Sequence, residues 1–101
     1  MSYKIRVSRR AAAQIRAAEI WWSENRSKAP EAFADEIDRG FDLIRGFPSA
    51  GEPVFHPRLP GLRRILLGRI RYYLYYDTWQ DSRTVEILAI WHTSRDGLPT
   101  F

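Results

Sequence analysis

The first quarter of the chain changes from the residue pattern of a strand to that of a helix. Apolar and basic residues alternate over residues 3–7, which predicts a strand with one buried face. Ser8 is a candidate N-cap, and the alanine-rich residues 9–25 favour a helix. The apolar stripe of this helix recurs at spacings of three and four residues, at Ala11, Ile15, Ala18 and Trp22.

The pattern predicts a second helix that begins at Pro30 and ends near Gly46. Proline suits the first turn of a helix, where its missing N–H leaves no hydrogen bond unmade. Acidic residues occupy the outer faces of this helix, and apolar residues recur at helical spacing, at Phe33, Ile37, Phe41 and Ile44. Because only a few residues separate the two helices, we expect them to form an antiparallel helical hairpin.

A proline-rich connection, residues 47–61, precedes three predicted strands. It contains four prolines and two glycines, so we expect no regular structure in it. Strand patterns follow over residues 62–67, 70–76 and 83–92. Gly68 and Arg69 favour a two-residue type II′ hairpin between the first two strands. The third strand is apolar on both faces apart from Glu86, as in a central strand.

Together these elements predict a single α+β domain over residues 1–101, with the order β-α-α-β-β-β. A helical hairpin is expected to lie on a mostly antiparallel sheet. Within residues 70–76, alternation places Ile70, Tyr72, Leu74 and Tyr76 on one face, and Arg71, Tyr73 and Tyr75 on the other. We expect the residues after the last strand to pack back on the fold through Leu98 and Phe101.

Arginine dominates the charged residues. The chain has 16 basic and 12 acidic residues, for a net charge of +4, and 14 of the basic residues are arginines. Between Glu52 and Asp77 there is no acidic residue, and the arginines there are Arg58, Arg63, Arg64, Arg69 and Arg71. Arginine binds phosphate or carboxylate through paired N–H donors. The segment therefore indicates an acidic partner or nucleic acid, with a solvated arginine-rich sheet face as the alternative.

Several classes of function are excluded by what the sequence lacks. Without cysteine there are no disulfides, no thiolate catalysis and no cysteine-ligated zinc. His56 and His92 are too far apart to suggest a metal site, and there is no glycine-rich phosphate loop, so we expect no metal and no cofactor. No apolar run approaches the roughly 20 residues that cross a bilayer, and no secretory signal is present, so we expect a cytoplasmic protein without a membrane partner.

Candidate chemistry is confined to the three predicted C-terminal strands. Their polar side chains are expected to converge on one sheet surface: Arg63 or Arg64, Arg71, Tyr73, Tyr75, His92 and Arg95. Cleavage of RNA by its own 2′-hydroxyl needs proton transfer and cations that stabilise the phosphate. A histidine with arginines supplies these roles. A histidine that closes an apolar strand is also commonly structural, so the residues alone leave both interpretations open.

Four segments of the chain resemble the RelE/ParE superfamily of type II toxins, most closely its ParE, or plasmid stabilisation, branch. They are residues 47–51 (FPSAG), 59–63 (LPGLR), 71–76 (RYYLYY) and 87–96 (ILAIWHTSRD). Each segment is degenerate alone, but their order and spacing on the β-α-α-β-β-β frame are specific. The resemblance implies a RelE/ParE-like toxin fold and neutralisation by a cognate, ParD-like antitoxin.

The two branches imply different functions. ParE-like members are associated with inhibition of DNA gyrase and perform no chemistry of their own, whereas RelE-like members are ribosome-dependent mRNA endonucleases. The arginine–aspartate pair after His92 favours the ParE branch, and no lysine after Lys28 is available for a lysine-based nuclease site. A RelE-like endonuclease and an inactive or differently targeted relative are the alternatives.

Each interpretation assigns its own residues. If gyrase is the target, the residues expected to bind it are Arg64, Tyr73, Tyr75, Trp91 and Arg95, and Arg71 adds positive charge. Arginine, tyrosine and tryptophan are the residue types that dominate interface hot spots. For the endonuclease acting on ribosome-bound mRNA, His92 is the acid or base, and Arg63 and Arg71 hold the phosphate. For the antitoxin we expect an apolar groove along the helical hairpin that reaches a sheet edge, lined by Trp21, Trp22 or Phe33.

Overall fold

A computed structural model describes residues 2–26 and 28–101 and contains two helices packed on a five-stranded mixed sheet. The predicted α+β fold is therefore confirmed. The elements are β1 (Lys4–Val7), α1 (Arg9–Asn25), α2 (Ala32–Gly46), β2 (Glu52–Pro53), β3 (Arg63–Leu67), β4 (Tyr72–Trp79) and β5 (Thr84–His92).

The sheet has the strand order β1-β5-β4-β3-β2. β1 runs parallel to β5, and every other neighbouring pair is antiparallel. The first and last strands of the chain are thus neighbours, and β5 lies between β1 and β4. This arrangement confirms both the mostly antiparallel sheet and the central position predicted for the last strand.

Helix α1 begins and packs as its sequence predicts. The Ser8 hydroxyl accepts a hydrogen bond from the Ala11 N–H at 3.1 Å, which satisfies one of the free donors at the start of the helix. Ala11 and Ala18 are buried, and Ile15 and Trp22 pack against the same core. The predicted apolar stripe is therefore the face that α1 turns toward the sheet.

Helix α2 starts two residues later than predicted. Its first residue is Ala32, and Glu31 precedes it without a side-chain cap, so Pro30 lies in the preceding turn and not in the helix. The apolar stripe is confirmed, with Phe33, Ile37 and Ile44 buried and Phe41 packed against the core. The helix ends at Gly46, as the pattern indicates.

The proline-rich connection is more ordered than expected. Residues Pro48–Ala50 form one 3₁₀ turn, and β2 pairs with β3 at the edge of the sheet. An edge strand tolerates Pro53, because a missing N–H there leaves no internal hydrogen bond unmade. The buried Tyr76 hydroxyl holds the turn in place, since it accepts the Gly51 N–H at 2.8 Å and donates to the Pro48 carbonyl at 2.7 Å.

The predicted two-residue hairpin between β3 and β4 is wrong. The connection spans residues 68–71, and β4 begins at Tyr72. Ile70 is only 1% exposed, so the longer turn allows its side chain to reach the core. Arg71 completes the turn with a positive φ of 65° and therefore lies outside β4. The alternation predicted that Arg71 and Tyr73 share one face of the strand, and for Arg71 this prediction is wrong.

A β-bulge in β5 decides which face each of its side chains occupies. Tyr75 pairs with Ala89 and Tyr76 pairs with Ile87, so Leu88 is an extra residue in β5. Strict alternation would place Ile87, Ala89 and residue 91 on one face. The extra residue reverses the alternation, so Val85, Ile87 and Ile90 belong to the core beneath the helices, and Ala89 and Trp91 belong to a second cluster on the outer face.

We expect the substitution Gly51→Ala to destabilise the fold. A Cβ at this position would lie 2.6 Å from the Tyr76 hydroxyl and 2.8 Å from the Arg64 carbonyl oxygen, and this backbone atom cannot move away cheaply. Overpacking of this kind costs about 1–3 kcal/mol of unfolding free energy, measurable by urea titration. Gly46→Ala is the control, because a Cβ there meets no atom within 4 Å. Equal stability of the two variants would contradict this account.

Candidate functional site

Three of the predicted target-binding residues, Arg64, Tyr73 and Trp91, lie on the outer face of the sheet. A fourth, Arg95, continues this row at the sheet edge, where it also lines a pocket with Trp21, Tyr72 and His92. Tyr73 on β4 pairs with Trp91 on β5. The Arg64 guanidinium carbon lies 4.0 Å from the centre of the Tyr73 ring, and that of Arg95 lies 3.9 Å from the centre of the Trp91 ring. These distances define two cation–π contacts. We call Arg64, Tyr73, Trp91 and Arg95 the outer-face row.

Arg64 is fixed within this row by hydrogen bonds. Its Nε donates to Glu52 at 2.6 Å, and its Nη1 donates to the Tyr75 hydroxyl at 3.1 Å. Burial alone would lower the pKa of Arg64, but the hydrogen bonds to Glu52 and Tyr75 and the charge interactions with the same two groups together raise the pKa above its usual value. The guanidinium is therefore permanently charged and oriented before any partner binds.

The structure corrects the assignment of Tyr75 as a target-binding residue. Tyr75 is completely buried, in a cluster with Leu62 and Ala89. Its ring lies 5.4 Å from that of Phe101, because the C-terminal residues fold back across the outer face. The expected packing through Phe101 is thus confirmed, whereas Leu98 is 44% exposed. Tyr75 supports the outer-face row from beneath and cannot contact a target.

The bulge turns His92 to the helix side of the sheet, away from Tyr73 and Arg64, so the expected convergence on one surface is wrong. His92 pairs with Tyr72, and their rings meet edge to face at 5.0 Å. Both line an open groove of about 620 Å³ between the end of α1 and the β3–β4 turn. We call this the helix-side groove; it is lined by Trp21, Trp22, Arg26, Arg69, Ile70, Arg71, Tyr72, His92 and Ser94.

The chemistry of the helix-side groove is aromatic and basic. Trp21 is 49% exposed, and the guanidinium carbon of Arg26 lies 5.3 Å from its ring centre and 5.8 Å from that of Trp22. The Trp22 indole N–H donates to the Ala29 carbonyl at 2.8 Å, which fixes the ring at the groove wall. Among the described lining residues there are three arginines and no carboxylate. The groove therefore suits an apolar ligand that carries negative charge.

His92 is held by its own turn. Its Nδ1 accepts the Ser94 backbone N–H at 3.1 Å and lies 2.7 Å from the Ser94 hydroxyl. Because a backbone N–H can only donate, Nδ1 is the acceptor in this contact. One nitrogen of His92 is thus occupied in stabilising the turn after β5.

The structure also corrects Phe33, which was expected to receive side chains of the antitoxin. Phe33 is 1% exposed, because its ring packs 6.3 Å from that of Trp22 and 5.8 Å from that of Tyr72. It forms the floor beneath the groove, and a partner would have to open the core to reach it. Trp21 and Trp22 do line the groove.

Arg63 lies far from Arg71 and His92. It pairs with Tyr76, and its Nη1 donates to the Gly51 carbonyl at 2.6 Å, which links β3 to the preceding turn. Tyr76 lies four residues along β4 from Tyr72, the partner of His92. At about 3.3 Å per residue this is about 13 Å along the strand, before the spacing between strands is added. The three residues assigned to phosphate chemistry are therefore not assembled on one phosphate.

Sequence reasoning assigned to no candidate site four residues that line the helix-side groove: Arg26, Ile70, Tyr72 and Ser94. The spacing of His92 and Ser94, two residues apart after a strand, is a recognisable local signal for a histidine bound by its own turn. Arg26 directly follows α1, and its contact with both tryptophans depends on how the helix ends. No local pattern in the sequence indicates that contact.

Two further observations concern membranes and metals. Within residues 2–26 and 28–101, no helix is both long enough and apolar enough to cross a bilayer. In the same ranges, histidine, aspartate and glutamate side chains form no group of three that could hold a metal ion.

Solved toxin–antitoxin structures share this fold. The chromosomal ParDE system from P. aeruginosa matches with a TM-score of 0.71 and 19% identity, over 92% of this chain and 98% of that chain. The RelBE2 complex from Mycobacterium tuberculosis matches with a TM-score of 0.66 and 20% identity, over 91% and 99%. The archaeal RelE–RelB complex from Pyrococcus horikoshii OT3 matches with a TM-score of 0.64 and 15% identity, over 95% and 100%. These matches define the fold as that of the RelE/ParE toxins.

The sequence identifies the family. Residues 5–97 match the model of the ParE toxin of the type II toxin–antitoxin system parDE. The chain therefore belongs to the ParE toxin family and is the toxin of a type II toxin–antitoxin system. The resemblance drawn from its sequence segments is confirmed. A search of curated protein sequences gave no match.

We expect the stability of this toxin to fall at alkaline pH because of Tyr76. Burial raises the pKa of its hydroxyl above the ordinary value of about 10, although the Gly51 N–H and the charge of Arg63 oppose the shift. The folded protein then keeps a proton that the unfolded chain releases, so this stabilisation is complete below about pH 10 and is lost as the pH rises through the folded pKa.

Urea titrations on either side of pH 10 measure this loss. Tyr76→Phe should show a smaller alkaline decrease in the free energy of unfolding than the wild type. Part of the decrease should persist in the variant, because burial also raises the pKa of Tyr72. Identical pH dependence in the two proteins would contradict the assignment to Tyr76.

Proposed function

We propose that this toxin inhibits DNA gyrase in the cytoplasm by docking through the outer-face row, without a catalytic step of its own. The observation that carries this proposal is the pair of arginine–aromatic contacts, whose two rings, those of Tyr73 and Trp91, lie side by side on one sheet face. Membership of the ParE family supports gyrase as the target, since ParE-like toxins are associated with its inhibition.

The outer-face row has the composition and rigidity of a protein-binding surface. Arginine, tyrosine and tryptophan are the residues enriched in interface hot spots. Arg64 is held by Glu52 and Tyr75, so little side-chain entropy remains to be lost on binding. Leu66, which pairs with Tyr73, is 55% exposed and adds apolar area beside the row. The two guanidinium groups favour an acidic surface on the partner.

We also propose that a cognate, ParD-like antitoxin neutralises the toxin by binding the helix-side groove. The similar structures from P. aeruginosa, M. tuberculosis and P. horikoshii are of toxin–antitoxin systems, which supports a partner of this kind. At His92 the groove also meets the end of β5 that no second strand covers, because β1 pairs with β5 only as far as Ile87. Trp21 and Trp22 can receive apolar side chains, and Arg26 and Arg71 favour acidic ones.

The mRNA endonuclease is the second candidate, and one observation favours it. Arg71 and His92 line the same groove, so a cation and a proton-transfer group are near each other. Against it, Arg63 is bound to the Gly51 carbonyl about 13 Å away along the sheet. The Ser94 N–H also occupies one nitrogen of His92. A phosphate held by Arg71 would lack the second arginine that the endonuclease hypothesis needs.

A gyrase supercoiling assay tests the docking proposal. The purified toxin should abolish supercoiling and cause cleaved DNA to accumulate, and Arg95→Ala should raise the half-inhibitory concentration about tenfold, the loss expected from one hot-spot residue. Arg83→Ala is a matched control, because its guanidinium stacks on Tyr3 at 4.5 Å, away from the outer-face row. Equal inhibition by both variants would exclude the row as the docking surface.

The substitution His92→Ala distinguishes the two candidate functions. We expect the variant to arrest bacterial growth as the wild type does, because Arg64, Tyr73 and Trp91 of the proposed target surface lie on the other face of the sheet. Growth arrest and mRNA cleavage on translating ribosomes are both measured, with circular dichroism as the check on folding. A folded His92→Ala protein that no longer arrests growth would favour the endonuclease.

A further inference from the structure

The ring of Phe55 contributes almost no hydrophobic burial to the fold. Its side chain is 86% exposed, more than any other large apolar side chain in the described part of the chain. Burying a phenylalanine is normally worth about 1.5–3 kcal/mol to a fold, and this residue contributes almost none of that. An isolated exposed apolar residue is ordinary on a protein surface. Phe55 differs from such a residue because the loop that carries it is held in place.

That loop, residues 54–61, is held rigidly against the outer face. The Val54 N–H donates to the Leu62 carbonyl at 2.9 Å, and the Leu59 N–H donates to the His56 carbonyl at 3.2 Å. The Arg58 N–H donates to the Nδ1 atom of His56 at 3.1 Å. Two prolines within the loop, Pro57 and Pro60, restrict it further. The loop thus presents Phe55 in a fixed position.

The residues on either side of Phe55 in the chain pack toward the outer face of the sheet, whereas Phe55 points into solvent. Val54 packs against the outer-face cluster, and the His56 ring lies 5.5 Å from that of Phe101. Phe101 in turn lies 5.4 Å from Tyr75, which is bonded to Arg64 of the outer-face row. The backbone therefore anchors the residues on both sides of Phe55 and turns its ring outward, beside the proposed target surface.

The charge around Phe55 indicates the partner. Arg58 follows it three residues later in the same loop, and the nearest acidic residue along the sequence, Glu52, is paired with Arg64 at 2.6 Å. A fixed apolar side chain on a loop that also carries a cation fits an apolar pocket with an acidic rim. Preorganisation lowers the entropy that such an anchor loses on binding.

We propose that Phe55 is an anchor residue that inserts into an acidic-rimmed apolar pocket on DNA gyrase. This inference rests on the proposed function and extends the docking surface from the outer-face row to the loop beside it. Phe55 then provides apolar contact area, while the arginines of the row provide charge and orientation.

The test compares two exposed phenylalanines in the gyrase supercoiling assay. Phe55→Ala should raise the half-inhibitory toxin concentration about tenfold or more. Phe47→Ala is the matched control, since Phe47 is 68% exposed at the end of α2, away from the loop. Both variants should unfold at the wild-type temperature, because neither ring is in the core. Phe55→Leu, which keeps an apolar side chain, should recover part of the inhibition.

The outcomes separate this proposal from the proposed function. If the wild type inhibits gyrase and Phe55→Ala inhibits equally well, the anchor is wrong and the docking proposal stands. An equal loss in the Phe47 variant would also overturn it, because the effect would then be general to exposed apolar residues. If the wild type leaves gyrase active, the proposed target is wrong, and gyrase as the partner of Phe55 falls with it.

Discussion

The extra residue at Leu88 in the central strand is the constraint on which both candidate surfaces depend. Side chains alternate along a strand, so one inserted residue moves every later side chain to the opposite face. Before the bulge, Ile87 faces the helices; after it, Ile90 and His92 do. A continuous alternation would instead turn Trp91 toward the helices and His92 toward the outer face.

The bulge decides which surface each of the last residues of β5 joins. Trp91 lies on the outer face and stacks on Arg95, and His92, the next residue, meets Tyr72 in the helix-side groove. Because β5 lies between β1 and β4, its backbone is fixed on both sides as far as Ile87. Beyond that point β4 is the one neighbouring strand, and two side chains hold the other edge: the Ser8 hydroxyl donates to the Leu88 carbonyl at 3.4 Å, and Gln14 accepts the Ile90 N–H at 2.9 Å. The part of β5 that carries both surfaces thus has a neighbouring strand on one side only. Partners on the two faces would contact the same few residues from opposite sides.

Sequence patterns predicted the features that depend on local chemistry. Both helices, the Ser8 cap and the opposite faces of Leu74 and Tyr73 follow from spacing and residue type, and the family follows from the order of short segments. The bulge could not be predicted, because it depends on how β5 pairs with β4. The strand is apolar on both faces, so its residue pattern is the same with or without the bulge. Without it, the sequence predicts that His92 and the outer arginines share one surface.

The burial of Phe33 was readable in principle, since it lies on the predicted apolar stripe of α2. The burial of Tyr75 was not, because Phe101 reaches it only through the path of the C-terminal residues.

A domain of about 100 residues is only marginally stable, and each large apolar side chain that stays in water adds no hydrophobic burial to its core. Trp21 and Leu66 are about half exposed at the groove and beside the row, and each has an arginine nearby. Like charges on every copy oppose contact between two such surfaces, so the same arginines that favour an acidic partner also limit self-association.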